Sequence, residues 1–149
     1  MKKTILITGS NSGVGLELTN KLSQSANVIG LTREILDHNN VNSILAYPLP
    51  YCDILINCAA HDLGGKVDFV NHDATDLVKI INCNLISSIL LTQKALQNNN
   101  STRIVNITST NINRYYGNDL IYTLTKKALS DFTQYLHVDY PKCQTLEVI

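Results

Sequence analysis

A glycine-rich segment near the N-terminus constrains the fold more than any other feature of this 149-residue chain. The letters T-G-S-N-S-G-V-G, residues 8–15, follow the short apolar run 5–7 and precede leucines at helical spacing. Glycines at 9, 13 and 15 remove side chains where a tight turn must bring the backbone close to a ligand. A helix that begins in this loop points its positive N-terminal end at that ligand. The pattern predicts a strand, a phosphate-binding turn and a helix, in that order.

Apolar runs and segments with helical spacing alternate along the rest of the chain. Strands are predicted at Thr4–Ile7, Val28–Leu31, Ile54–Ile56, Arg103–Ile107 and Leu146–Ile149. Helices are predicted after the glycine loop, from Leu77 to Leu96 and from Leu120 to Leu136. The alternation predicts an α/β fold with a doubly wound parallel sheet, in a single domain over residues 1–149.

Residues 34–50 give the weakest structural signal. They are polar and rich in asparagine, and they end in Tyr-Pro-Leu-Pro. Their apolar residues allow a further strand around Ile44–Tyr47.

Composition excludes several classes of protein. Twelve basic and twelve acidic residues cancel, so no overall charge attracts nucleic acid or an anionic membrane. We expect no membrane span, because no apolar run approaches about 20 residues. The four cysteines and four histidines show no C-x-x-C pair or ligand spacing, so we expect no metal site. Isolated, reduced cysteines are typical of a cytoplasmic protein.

Tyr122 and Lys126 are one helical turn apart on the last long predicted helix, so their side chains should share a face. A phenol ordinarily titrates near ~10, and a neighbouring ammonium favours its ionised form. Tyr122 is therefore a candidate general acid and base. A Tyr-x-x-x-Lys pair alone is commonly a solvated helix face, so this interpretation depends on the other motifs.

Five motifs in one order make the chain resemble the short-chain dehydrogenase/reductase family, in its single-domain branch. They are T-G-x-x-x-G-x-G at 8–15, Asn57-Cys-Ala59-Ala60, Asn84 in a helix, Ile-Val-Asn-Ile-Thr-Ser109 and Tyr122-x-x-x-Lys126. The resemblance implies a Rossmann-like fold and hydride transfer between a nicotinamide and a carbonyl or secondary alcohol. It also implies a homodimer or homotetramer built from the helices that carry Asn84 and Tyr122.

The same resemblance implies roles for individual residues. Asn84, Ser109, Tyr122 and Lys126 would form the catalytic set. In that set Ser109 binds the substrate oxygen and stabilises developing charge, Asn84 holds a water in a proton relay, and Lys126 also binds the nicotinamide ribose. Asn82 is a competing candidate for the helix asparagine. The implied cofactor-binding residues are Gly9, Ser10, Asn11, Gly13, Val14, Gly15, Arg33, Asn57, Ala59, Tyr122 and Lys126.

Arg33 indicates which dinucleotide binds. An acidic residue at the end of the second strand binds the 2′-hydroxyl of NAD, whereas an arginine accommodates the 2′-phosphate of NADP. Arg33 follows that strand with no acid before it, although Glu34 comes next. The sequence therefore favours NADP(H) over NAD(H).

The chain departs from the family pattern in three places. Ala60 replaces the last glycine of the N-N-A-G motif, and the aspartate usual near the adenine has no counterpart. After 146–149 the family's Pro-Gly turn, substrate loop and seventh strand are missing, so we expect a fragment or a naturally shortened chain that lacks the last strand or strands. The alternatives are a non-catalytic dinucleotide-binding or scaffold relative and, with poorer glycine spacing, an epimerase or dehydratase of nucleotide sugars. The sequence leaves the substrate open.

Overall fold

Five parallel strands form one sheet in the order β2-β1-β3-β4-β5. The structure, a computed structural model, describes residues 2–62, 68–114 and 120–149. The strands are β1 (Thr4–Thr8), β2 (Asn27–Leu31), β3 (Ile54–Asn57), β4 (Arg103–Ile107) and β5 (Thr145–Val148). The helices are α1 (Gly13–Leu22), α2 (Val41–Ala46), α3 (Ala74–Ile81), α4 (Ser87–Asn98) and α5 (Leu120–Asp139). The α/β fold class and all five strands predicted from the apolar runs are confirmed, each strand to within a residue or so at its ends.

Helices cover both faces of the sheet, and β1 shows why its sequence is apolar throughout. Leu6 packs into a core with Ile44 of α2 and Leu91 of α4. Ile5 and Ile7 point to the opposite face, against Leu18 and Leu22 of α1. Because alternate residues of a strand point to opposite faces, a strand covered on both sides needs a continuous apolar run.

The strand suggested around Ile44–Tyr47 is wrong, since these residues belong to α2 and its C-terminal end. Asn40 Oδ1 accepts hydrogen bonds from the backbone N–H groups of Asn42 and Ser43, which starts the helix. Ile44 is fully buried against the sheet core. The isoleucine and tyrosine suggested a strand by their β propensity, but the cap and this tertiary contact favour a helix.

One long helix, Ala74–Asn98, consists of α3, a π-helical turn at Asn82–Ile86, and α4. By length and composition alone its 25 residues could cross a membrane, although polar residues interrupt its sequence so that it is no continuous apolar run. That no segment spans a membrane stays a prediction. A core helix meets the same criterion, and this one packs against α5 and β3. Asn84 and Thr92, both buried, hydrogen-bond with Thr125 and Asn57 respectively on those elements.

Candidate cofactor-binding and active site

A cleft of about 580 Å³ opens at the carboxyl ends of the strands. This edge of an open parallel sheet is where α/β proteins bind ligands. Nine of the predicted site residues line the cleft: Gly9, Asn11, Gly13, Val14, Gly15, Arg33, Ala59, Tyr122 and Lys126. The loop that joins β1 to α1 forms one wall, and the start of α5 forms another.

The glycine loop needs its glycines for a positive φ and for close approach. Gly9 has φ +66°, and a Cβ on it would lie 2.9 Å from the backbone Cα of Ala59. A Cβ on Gly15 would overlap the backbone oxygen of Gly9, so the first turn of α1 can approach the loop only without that side chain. Ser12 is the N-cap residue of α1, but its side chain makes no capping hydrogen bond. The first-turn N–H groups are therefore available to an anionic ligand.

Ser10 and Asn57, both predicted to bind the cofactor, lie behind the cleft wall. Ser10 is buried against Gly30 of β2, where a Cβ on the glycine would overlap Ser10 Oγ. Asn57 is buried too, and its Nδ2 donates to Asn106 Oδ1 at 2.8 Å and to Thr92 Oγ1 at 3.2 Å. Both side chains therefore support the wall of the cleft and do not line it.

Lys126 presents a buried ammonium to the cleft. Only 2% of its surface is exposed, and its Nζ donates a 2.9 Å hydrogen bond to the backbone oxygen of Ile107 at the end of β4. The Nζ atom lies 5.8 Å from the centroid of the Tyr122 ring. Burial, the largest cause, lowers the pKa of Lys126, and the nearby Cys58 and Cys83 act in the opposite direction. The predicted Tyr–Lys pair thus forms at the cleft, on the same face of α5.

Asn84 is fully buried in the π-helical turn and does not line the cleft. Its Oδ1 accepts from the backbone N–H of His61 at 2.7 Å, and its Nδ2 donates to His61 O at 3.0 Å and to Thr125 Oγ1 at 3.2 Å. These bonds connect the chain after β3 to α5, immediately beside Lys126. π-Helical turns are rare and occur frequently at functional sites.

Ser109 follows Thr108, a residue that lines the cleft. Ser109 Oγ accepts a 3.2 Å hydrogen bond from the backbone N–H of Asn111 and so caps the short 3₁₀ helix Thr110–Asn113. As the hydroxyl is the acceptor in this bond, its own proton can be donated to another group.

Arg33 and Glu34 lie side by side at the end of the cleft that follows β2. We call this the nucleotide end, because the predicted cofactor would place its adenosine there. Among the described residues no carboxylate forms an ion pair with the exposed Arg33 guanidinium. The Thr32 hydroxyl, as the largest cause, lowers the pKa of Glu34. This end of the cleft therefore carries one charge of each sign at neutral pH.

Sequence reasoning missed nine further lining residues: Ser12, Glu34, His38, Asn39, Cys58, Ala60, Cys83, Ile107 and Thr108. Most flank a predicted motif residue, which was the available signal. His38 and Asn39 had no such signal, because they enter the cleft through a turn after β2. His38 is buried with its Nδ1 2.6 Å from Ser87 Oγ, and burial lowers its pKa to about 4, so the ring is neutral at pH 7.

Solved structures share this fold over nearly the whole chain. A short-chain dehydrogenase/reductase from Burkholderia vietnamiensis superposes with a TM-score of 0.88 at 17% identity, covering 99% of this chain and 84% of that one. A 4-hydroxyisoleucine dehydrogenase complexed with NADH superposes with a TM-score of 0.83 at 23% identity, and the match covers 96% of this chain and 71% of that one. Serine dehydrogenase from Escherichia coli superposes with a TM-score of 0.76 at 23% identity, and the match covers 91% of this chain and 76% of that one.

Sequence comparison supplies the family. A search of curated proteins gives no match. The family model described as short chain dehydrogenase matches residues 37–148, which is most of the chain. That match begins after the glycine loop, a segment that the structural superpositions include. This chain therefore belongs to the short-chain dehydrogenases, a family of oxidoreductases that bind nicotinamide dinucleotides.

Proposed function

We propose that this chain is an NADP(H)-dependent oxidoreductase that transfers a hydride between the nicotinamide and a carbonyl or secondary alcohol, with Tyr122 as general acid and base. One observation carries the proposal. Tyr122 and the buried Lys126 line the same cleft as the glycine loop, so a proton-transferring group and a phosphate-binding turn face one ligand. Binding of a dinucleotide alone would not need a tyrosine beside a buried ammonium.

Two features of the cleft support binding of a dinucleotide. Without side chains at Gly9 and Gly15, the loop packs closely against Ala59 and against the first turn of α1. A pyrophosphate would bind at this turn. Lys126 Nζ donates to Ile107 O and to no other described residue. An ammonium has three donors, so it can also bind ribose hydroxyls. When bound, the nicotinamide supplies or accepts the hydride.

The residues of the chain would supply the proton and stabilise charge. In reduction, Tyr122 would donate its phenolic proton to the carbonyl oxygen as that oxygen gains charge. Lys126 would stabilise the resulting phenolate, because a cation in a site with little water interacts strongly with a nearby anion. Ser109, whose proton is available, would donate a hydrogen bond to the same substrate oxygen. Asn84 holds His61 and Thr125, and would also order the relay water that the family resemblance implies.

Arg33 supports the choice of NADP(H). Its guanidinium lies at the cleft without a carboxylate partner among the described residues, and a guanidinium binds a phosphate with two parallel hydrogen bonds. Glu34 is the competing feature, as a carboxylate there suits the 2′-hydroxyl of NAD.

Assembly and location complete the proposal. A groove of about 460 Å³ lies between α4 and α5, and its apolar residues include Leu90, Leu96, Phe132 and Leu136. A second copy packed on these helices would bury that groove, which supports a homodimer or homotetramer. Four free cysteines are consistent with a cytoplasmic protein. The partners would be a small carbonyl or alcohol, with no nucleic acid or membrane involved.

The test is turnover of a panel of aldehydes and ketones with NADPH, followed by loss of its absorbance. We expect Tyr122→Phe to lose activity by about 10²–10⁴-fold, the usual contribution of a general acid, with NADPH affinity retained. Tyr135→Phe, on the exposed side of the same helix, is the matched control and should keep wild-type activity. Activity that is indifferent to Tyr122→Phe would refute the mechanism, and NADPH binding without turnover would favour a non-catalytic binding protein.

A further inference from the structure

The π-helical turn Asn82–Ile86 contacts two walls of the cleft through asparagines two positions apart. Asn84 holds His61 and Thr125 near the proposed catalytic residues. Asn82 Nδ2 instead donates a 3.0 Å hydrogen bond to the backbone oxygen of Asn39. Residues i and i+2 of a helix point in different directions, so a single turn can support both walls.

The segment that Asn82 holds belongs to the nucleotide end of the cleft. β2 is the edge strand of the sheet, so the chain that follows it gains no support from a strand beyond. Residues 32–40 instead carry Arg33 and Asn39 to the cleft and are attached to the long helix by side chains. One attachment is the His38–Ser87 contact, and the other is the bond from Asn82 to Asn39.

Hydrogen bonds to its backbone hold Asn39, but they leave its side-chain oxygen unsatisfied. Its N–H donates to Asp37 Oδ1 at 3.0 Å, and its carbonyl accepts from Asn82. Its side-chain oxygen is buried and has no hydrogen-bond partner in the described part of the chain. A buried acceptor without a partner destabilises the fold, as is expected where a segment is shaped for a ligand.

We propose that Asn82 is a positioning residue that fixes the nucleotide end of the cleft by holding Asn39 and, with it, the turn that carries Arg33. The inference rests on the proposed binding of NADP(H). Asn82 does not line the cleft and its described side-chain bond goes to Asn39, so it would act through Asn39 and not on the reacting atoms. Its loss should therefore weaken binding of the adenosine 2′-phosphate end and leave the chemical step unchanged.

The probe is 2′,5′-ADP, which carries the 2′-phosphate and lacks the nicotinamide. We expect Asn82→Ala to raise its Kd by up to about fivefold, the limit reached if the whole loss of one neutral hydrogen bond falls on the binding-competent arrangement, and to raise the KM for NADPH without lowering kcat. Asn82→Leu keeps the branched shape and the number of side-chain heavy atoms without the donor and should behave in the same way, which covers the case in which the alanine variant folds poorly.

Asn98→Ala is the matched control. Asn98 lies on the same long helix and its Nδ2 donates a 2.7 Å bond to Leu49 O, a backbone carbonyl outside the cleft lining. This variant should match wild type in 2′,5′-ADP binding, although it loses the same kind of contact. Unchanged binding by both Asn82 variants, or equal weakening by Asn98→Ala, would overturn the inference. Failure of the wild type itself to bind 2′,5′-ADP would refute NADP(H) binding, and the positioning role with it.

Discussion

Replacing Lys126 by methionine should separate stability from activity. The ammonium is buried, and the cause of its lowered pKa is loss of water, with no carboxylate among the described contributors. Burial of a charge without a counter-ion costs several kcal/mol, and its one described bond, to Ile107 O, returns about 1.5–3 kcal/mol. Methionine fills the same space without the charge. We expect the free energy of unfolding of Lys126→Met to equal that of the wild type or to exceed it by about 1–2 kcal/mol. We expect its kcat to fall by about 10²–10⁴-fold.

The pH dependence of stability provides an independent check. The folded-state pKa of Lys126 is below the ordinary value of 10.5, so at low pH both folded and unfolded states are protonated and the full burial penalty is present. Between the folded pKa and 10.5 the unfolded state binds more protons, and the stability of the wild type must rise with pH. Above 10.5 the penalty is gone. The excess of the free energy of unfolding of Lys126→Met over that of the wild type should therefore decrease as the pH rises from the folded-state pKa of Lys126 to 10.5.

Urea denaturation at several pH values would measure this difference. Lys142→Met is the control, because Lys142 is exposed, and its effect on stability should be small at every pH. Destabilisation of Lys126→Met by more than about 2 kcal/mol at pH 7 would show that the ammonium contributes net stability, and would refute this reasoning. Retained activity would refute the proposed stabilisation of the phenolate.

Three further predictions concern the loop, the nucleotide end and the fold. Gly15→Ala should weaken NADPH binding at least tenfold in a fluorescence titration, since its Cβ would overlap the backbone oxygen of Gly9; unchanged affinity would mean that the loop can move apart. Arg33→Ser should weaken NADPH binding by about tenfold or more and leave NADH nearly unaffected, because a charge-assisted hydrogen bond contributes about 1.5–3 kcal/mol; equal losses for both would argue against a 2′-phosphate contact. Asn40→Ala should lower the free energy of unfolding by about 1 kcal/mol, as it removes the cap of α2; no change in urea denaturation would contradict that role.

The sequence by itself determined the sheet, the loop and the placing of Tyr122 beside Lys126, because each has a local signature. A continuous apolar run such as Ile5–Ile7 is required of a parallel strand that is covered on both faces. Gly9 has a positive φ, and the backbone of Gly9 crowds Gly15, so neither position accepts a side chain without strain. Tyr122 and Lys126 share a face because they are one helical turn apart.

Only the tertiary structure decided how the remaining residues are used. Ser10 and Asn57 belong to the right motifs, yet their side chains pack against Gly30 and Asn106 behind the cleft. Asn39 lines the cleft although no sequence motif marked it. The π-helical turn holds it through a hydrogen bond between residues 43 positions apart. Local periodicity can predict an element and its buried face. It carries no information on which carbonyl a distant side chain meets, since that is set by how the elements pack together.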